Sequence, residues 1–234
     1  MRLSPAQHGV THGRCPHGFA VPNRPTPPES PSWLDPAGQG TAKQVQDGVR
    51  KAASVLEQAG YAVDELEPPS IDAAAKALVV MLTTPGIRAV WRQVMSQTLP
   101  VATQRFMSAF FEAAGDPDAV DTEQSFITRQ SLLRSWSEFQ EHHPLIVAPI
   151  ATEMPSQAGT DLDEGRVVED LRTMRMAIAV NALGLPAVAL PVGIVDGLPQ
   201  AVQVIGPRYR EDLCLDAAAA LEDRIGIITP IDPR

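Results

Sequence analysis

The 234-residue sequence lacks most of the features by which secreted and membrane proteins are recognised. Its two cysteines, Cys15 and Cys214, can form at most one disulfide, which excludes a disulfide-stabilised framework. The longest apolar runs are about as short as residues 77–82, whereas a membrane-spanning helix needs roughly 18 apolar residues. The N-terminus shows no apolar segment typical of a secretory signal. We therefore expect a cytoplasmic protein that has no membrane partner.

Aromatic residues are scarce as well, at 5%, so a core has to be built from Ala, Val, Leu, Ile and Met. The formal net charge is −9, and no stripe of basic residues is interleaved with aromatic ones, which excludes a nucleic-acid partner. What the chain does have is an ordinary hydrophobic share of 44%. That share is enough to build one large domain or two small ones.

Proline divides the chain near residue 36. Residues 1–36 hold eight of the 22 prolines and show no helical or strand period. Because proline lacks an N–H and fixes φ, this segment resists both helix and sheet. We predict a disordered tail over residues 1–36 and a folded domain over residues 37–234. The apolar residues 18–21 are too few and too closely flanked by proline to predict a strand.

The spacing of apolar residues predicts alternating helices and strands in the folded part. Helices are predicted over residues 45–59, most of 71–140, 167–182 and 211–223. Strands are predicted over residues 61–66, 145–150, 187–195 and 198–205. The last two flank Asp196-Gly197, a dipeptide that strongly indicates a hairpin because both positions tolerate positive φ. Pro191 and Pro199 place part of this hairpin at a sheet edge.

Two clusters near the N-terminus have the residue types of binding sites but not the spacing. His8, His12, Cys15 and His17 can all ligate zinc, yet their spacing matches no usual zinc finger, and we predict no metal site. Residues 38–43 precede a helix as a phosphate loop does, but the Gly-Lys-Ser/Thr ending is missing. We expect a flexible turn there.

Other candidate side chains lie later in the chain. His142 and His143 have the chemistry of acid–base catalysts, but a helix C-terminus also favours such side chains. Cys214 lies within the last helix and is predicted to be a small buried hydrophobe. The carboxylates are explained by helix N-termini rather than by calcium; they are Asp161, Asp163, Glu164, Glu169 and Asp170.

The last ninety residues carry a recognisable pattern. Residues 181–193 read N-A-L-G-L-P-A-V-A-L-P-V-G, which resembles the stretch N-x-x-G-x-P-A-x-x-x-P-x-G of the amidase signature family. Residues 197–206 resemble its G-L-P-x-x-x-Q-x-I-G segment, and residues 210–222 resemble its closing helix. The resemblance covers about residues 37–230. It implies an α/β fold with a mixed sheet flanked by helices, amide substrates, and no metal or organic cofactor.

The family triad is not found in this chain. The resemblance implies a Ser–Ser–Lys triad in the N-terminal half of the family, within a Gly/Ser-rich segment. The sequence has no Gly-Gly or Ser-Ser dipeptide. Of its three lysines, Lys43 and Lys51 fall on the solvated side of a predicted helix, and Lys76 lies in a helical run without a serine partner. Nucleophilic catalysis needs a hydroxyl within reach of a base and oxyanion donors. We therefore predict no catalytic residue, and a truncated amidase that is inactive without the missing half.

Substrate contacts are predicted by position only, within the family resemblance. Thr152, in the loop of residues 151–155, and Asn181 are the candidates, although capping or turn hydrogen bonds explain both residue types equally well. Five further residues of the motif are predicted to determine the fold rather than the chemistry: Gly184, Pro186, Pro191, Gly193 and Gly197.

Two alternatives to a truncated amidase remain. A half-sheet has an unpaired edge and an uncovered apolar face, so the chain could be a binding or assembly module that forms homo-oligomers. It could also be an intact hydrolase of another design, in which His142 or His143 activates Ser131 or Ser135.

Overall fold

The computed structural model describes residues 34–160, 163 and 165–228, without the side chains of residues 95–98. The predicted tail therefore lies outside the described residues, except for its last three. Those three are part of the fold: the side chain of Leu34 is fully buried, and Pro36 is buried at the start of a short 3-10 turn, Pro36–Gly38. Leu34 packs into the core on α1 and the sheet although it precedes residue 37. The division into a tail and a folded domain stays a prediction.

The described residues form eight α-helices and three strands. The helices are α1 (Lys43–Gln58), α2 (Ile71–Leu82), α3 (Pro85–Thr98), α4 (Val101–Ala113), α5 (Ala119–His142), α6 (Arg166–Thr173), α7 (Arg175–Leu183) and α8 (Glu211–Ile225). The strands are β1 (Ile146–Pro149), β2 (Ala187–Val195) and β3 (Leu198–Ile205). Apart from the details given below, this order agrees with the predicted elements.

The sheet has the order β1-β3-β2, and both pairings are antiparallel. The predicted hairpin forms β2 and β3, with Asp196 at φ 52° and Gly197 at φ 79° in its turn. Positive φ at both central residues matches the turn twist to the strand twist. A shift in register lies between Pro191 and Gly193 of β2, an edge strand. The sheet was predicted to be mixed, but the described strands form only antiparallel pairs.

Two further predictions are wrong in detail. Residues 61–66 form no strand, because no described strand supplies a ladder of hydrogen bonds to their backbone. The helix predicted over residues 167–182 is two helices, because the chain leaves the helical path at Met174. The buried residue Arg175 follows directly after this break.

Apolar side chains cover both faces of the sheet. One face packs Ile146, Ala148 and Ile205 against α2, α5 and α7, where Trp136 is fully buried and donates its indole N–H to the Pro69 carbonyl at 2.7 Å. The opposite face packs β2 and β3 against α1 and α8. The fold is thus a helix–sheet–helix sandwich in which β1 is covered from both sides.

No single helix within the described ranges is long and apolar enough to cross a membrane. The bent pair formed by α2 and the first part of α3 meets the length and composition requirement, with a bend of 57°.

Candidate functional site

The loop of residues 151–155 follows β1 and contains Thr152, one of the two predicted substrate contacts. Thr152 is fully buried. Its backbone N–H donates to the Thr173 carbonyl at 2.9 Å, and its carbonyl accepts the N–H of Ala42 at 2.8 Å. Its hydroxyl oxygen accepts a hydrogen bond from Arg175 at 3.2 Å. The loop is therefore fixed between the segment before α1 and the end of α6.

Arg175 lies at the centre of this region, and its guanidinium donates five hydrogen bonds. Besides Thr152, the acceptors are the Arg172 carbonyl at 2.8 Å, the Asp35 carboxylate at 3.0 Å, the Gly40 carbonyl at 3.3 Å, and the Pro36 carbonyl. Burial lowers the pKa of Arg175, and the nearby Asp35 carboxylate opposes that shift. An arginine stays protonated in proteins, so the guanidinium is a buried cation with every N–H directed at an acceptor.

Arg172 forms an outer layer over Arg175. It donates to Glu153 at 3.1 Å, to the Gln39 carbonyl, and to Glu169 one turn earlier in α6. This charged hydrogen bond lowers the pKa of Glu169 to about 2 and raises that of Arg172. The two arginines together join the same two segments, residues 35–40 and residues 152–153.

Asn181, the second predicted contact, lies on an exposed face at the end of α7. Its backbone carbonyl accepts the N–H of Gly184, which ends the helix at φ 63°, and the Leu185 N–H donates to the Val180 carbonyl. Such a left-handed residue is the usual helix stop where glycine is present. Pro186 follows, and its carbonyl accepts the Gly206 N–H at 3.0 Å. Substrate contact by Thr152 and Asn181 stays a prediction.

The hairpin approaches α1 closely at two glycines. A Cβ on Gly48 would lie 2.7 Å from the side chain of Gln200, and one on Gly193 would lie 3.3 Å from the same residue. Lys51 of α1 donates to the Val192 carbonyl at 2.5 Å. Gly48 therefore leaves space between α1 and the Gln200 side chain of β3, whereas a Cβ on Gly193 would require only a small shift of that side chain.

An apolar cleft of about 100 Å³ lies between α1, residues 61–66, the end of α5 and β1. His143 lines it and contacts Phe139, with ring centroids 4.8 Å apart and ring planes tilted by 39°. Burial lowers the pKa of His143, and His142 lowers it further, while Asp64 raises it. Ser135 precedes His142 by seven residues on the same helix, about 10 Å along its axis. This spacing does not support the alternative in which these histidines activate Ser131 or Ser135.

No serine hydroxyl hydrogen-bonds a lysine amine within the described ranges. Lys43 pairs with Asp47 at 2.6 Å, Lys51 is bonded to β2, and Lys76 is exposed on α2. The hydroxyls of Ser108, Ser125, Ser135 and Ser137 donate to carbonyls three or four residues earlier in their own helices. Such bonds are local backbone interactions of helical serines.

The remaining candidates do not form a site. His8, His12, Cys15, His17, Asp161 and Glu164 lie outside the described residues, and the described part of the chain holds no group of three metal-binding side chains. Asp170 pairs with Arg166 at 2.8 Å. Of the predicted flexible turn, Ala42 is bonded to Thr152 and Thr41 to Asp35. Cys214 is buried against Pro186, and burial raises its pKa.

Neither Arg175 nor its partner Asp35 was among the residues predicted from the sequence. A signal was present, because Arg175 lies four residues after Leu171 and three before Ile178, within the predicted apolar stripe of a helix. A charged residue on such a stripe indicates a buried, paired group. Asp35 could not be identified, since it lies 140 residues earlier in the chain.

Known proteins resemble this chain in sequence. The chain matches the family model described as Amidase over residues 33–215. It is similar to the indoleacetamide hydrolase of Bradyrhizobium japonicum, with 34% identity over 79% of this chain and 40% of that protein. It is also similar to a glutamyl-tRNA(Gln) amidotransferase subunit of Streptococcus uberis, with 27% identity over 79% of this chain and 42% of that protein. The chain spans about two fifths of the length of these curated relatives.

Solved structures share the fold. The chain superposes on a 6-aminohexanoate cyclic dimer hydrolase complexed with substrate, with a TM-score of 0.62 and 20% identity over 80% of this chain and 42% of that one. A bacterial aryl acylamidase of the amidase signature family gives a TM-score of 0.61 and 22% identity, over 80% of this chain and 41% of that one. The predicted α/β class, as part of an amidase-signature-like fold, is confirmed.

Proposed function

The chain belongs to the amidase family, and we propose that it is the C-terminal, non-catalytic portion of an amide hydrolase, inactive until a second portion supplies the nucleophile. The observation that carries this proposal is the environment of the three lysines. Each is bound to a carboxylate, bound to a carbonyl, or exposed, and no described one touches a serine. Without a serine hydroxyl beside a lysine base, the Ser–Ser–Lys mechanism has no activated nucleophile.

The proposed role of this portion is to provide scaffold and part of the substrate site. The loop of residues 151–155 and the region around Asn181 are the proposed walls of that site. The relative from Bradyrhizobium japonicum is an indoleacetamide hydrolase by name, so a primary amide on an aromatic side chain is the substrate class to test first. A cytoplasmic location goes with this proposal.

Complementation tests the proposal directly. The purified chain is mixed with the part of the Bradyrhizobium japonicum relative that this chain does not match, and ammonia release from indole-3-acetamide is measured. We expect no turnover from either part alone and turnover from the mixture. Turnover by this chain alone would contradict the proposed inactivity. If that turnover is lost when all three lysines are replaced by arginine, a Ser–Ser–Lys triad is present after all; if it survives, a hydrolase of another design is favoured.

A second candidate function, an assembly module, is favoured by the difference between the two edge strands. The β2 edge carries Pro191 and an irregular register, features that keep natural edges from pairing. The strand β1 keeps a regular register and has a proline only at its last residue, Pro149. Its residues Ile146 and Ala148 are buried like those of an interior strand. We propose that β1 pairs with a further strand, in a homo-oligomer or in the complemented enzyme.

Light scattering of the chain alone distinguishes the two arrangements. An exposed β1 edge predicts association that depends on concentration and is weakened by Val147→Lys within β1, since lysine blunts an edge. Val195→Lys on the β2 edge is the matched control and should leave the mass unchanged. A monomer at all concentrations, with the complementation still working, would leave only the complemented enzyme as the function.

A further inference from the structure

Arg175 is the one charged residue within the described ranges that is almost completely buried, with 2% of its surface exposed. Burying a cation is unfavourable unless each of its donors finds an acceptor. The five N–H groups of a guanidinium here meet five acceptors, so the side chain is satisfied only while all the acceptors are in place.

The five acceptors belong to three segments that are distant in the sequence. Asp35, Pro36 and Gly40 precede α1, Thr152 lies in the loop after β1, and the Arg172 carbonyl belongs to α6. Asp35 contacts Arg175 and also the N–H of Gly40 and the hydroxyl of Thr41, but no hydrogen bond joins it to the loop. An effect of Asp35 on the loop can therefore pass through Arg175, through Arg172, which bonds the Gln39 carbonyl and Glu153, or through the backbone bond between Ala42 and Thr152.

We propose that Arg175 is a positioning residue that makes the order of the loop of residues 151–155 depend on the segment of residues 35–42. The guanidinium binds both segments at once, and Arg172 repeats the connection nearer to the surface through Gln39 and Glu153. An effect of this coupling on substrate binding rests on the proposed function, whereas the coupling between the two segments is independent of that function.

Amide hydrogen exchange of the full chain tests the coupling without any activity. Asp35→Asn removes the carboxylate that neutralises Arg175 and touches no atom of the loop. We expect Asp35→Asn and Arg175→Lys to raise the exchange rates of both the Thr152 and the Ala42 amides at least tenfold. The amides of α8 should keep their rates. Arg166→Lys is the matched control, since Arg166 pairs only within α6, and it should change neither amide.

Exchange confined to the mutated segment would overturn the proposal. That result is Asp35→Asn accelerating Ala42 but leaving Thr152 at its original rate. If Arg175→Lys loses protection in α8 as well, it has unfolded the chain, and Thr152→Val takes its place. This variant keeps the volume but removes one acceptor of the guanidinium, and it should accelerate the Gly40 and Ala42 amides together.

The complemented enzyme supplies the second readout. If the loop is a wall of the substrate site, Asp35→Asn should raise KM severalfold while kcat changes by less than twofold, and Arg166→Lys should change neither. An unchanged KM alongside accelerated loop exchange would refute the substrate-binding role and leave the coupling standing. Failure of complementation itself counts against the proposed function only, because the exchange experiment does not use it.

Discussion

The sheet with its covering helices and the pair formed by α3 and α4 are two differently built regions of one chain. The sheet buries apolar side chains on both faces. In α3 no described side chain is buried, and in α4 only Phe110 is, while Val90, Val94 and Val101 are at least half exposed. Few tertiary contacts therefore support α3 and α4, whereas the helices on the sheet are stabilised by extensive apolar packing.

Arg88 is the main connection within the α3–α4 region. Its guanidinium donates to the carbonyls of Thr83 and Phe111 at 2.7 and 2.9 Å and also to Gly115, and it lies 4.9 Å from the centroid of the Phe111 ring. Trp91 and Phe111 meet edge to face at 6.5 Å. We expect α3 and α4 to open locally at a lower free energy than the sheet unfolds.

The largest contrast should come from the core. Leu221 of α8 is fully buried against the sheet, and Leu221→Ala should lower the free energy of unfolding by about 2–5 kcal/mol, because it removes apolar contact and leaves a cavity. Val101→Ala on exposed α4 should change it by no more than about 0.5 kcal/mol. Urea denaturation measures both. Equal effects would show that the two regions are packed alike.

Replacement of Arg88 should destabilise the α3–α4 region and leave the stability of the sheet region unchanged. Arg88→Ala deletes several hydrogen bonds to backbone carbonyls, and we expect about 1.5–3 kcal/mol less local stability in α3 and α4. Hydrogen exchange in residues 101–113 reports it, with the α8 amides unchanged. Arg92→Ala, an exposed position on the same helix, is the control. Loss of protection in α8 would mean that the two regions unfold as one unit.

Two glycines with positive φ, one in each region, test whether the α3–α4 region opens separately from the sheet. Gly184 ends α7 at φ 63°, and Gly115 follows α4 at φ 67°, and neither has a heavy atom closer than 3.9 Å to an added Cβ. Alanine at either position should therefore cost about 1–2 kcal/mol of backbone strain. Gly184→Ala should lower the global unfolding free energy, while Gly115→Ala should show mainly in exchange of the α4 amides. A full global loss from Gly115→Ala would contradict local opening.

The smallest expected effect is a pH dependence of stability that comes from His143, next to β1. Because the pKa of His143 is lowered below its ordinary 6.5, the unfolded chain binds a proton there more readily than the folded chain. The contribution of His143 to stability is full above pH 6.5 and declines as pH falls through that value and past the lowered pKa. His143→Asn should flatten the slope of Tm between pH 7.5 and 5.5. An unchanged slope would refute this.

Local patterns were enough to predict much of the fold. Asp196-Gly197 predicted the hairpin because its turn depends on only two residues. The predicted strand over residues 61–66 was wrong, since alternation indicates a strand only where a partner strand exists. The break at Met174 was missed because the apolar spacing continues across it.

By itself the sequence determined the helices, the hairpin, the family, and the lack of the Ser–Ser–Lys signature, all of which depend on residues close together in the chain. The tertiary structure alone decided that Asp35, Thr152 and Arg175 meet, and that β1 is covered on both faces while one of its edges has no partner among the described strands. Such facts depend on contacts between distant segments. Because Arg175 is buried and its guanidinium needs all its acceptors, it links the segment of residues 35–42 to the loop of residues 151–155.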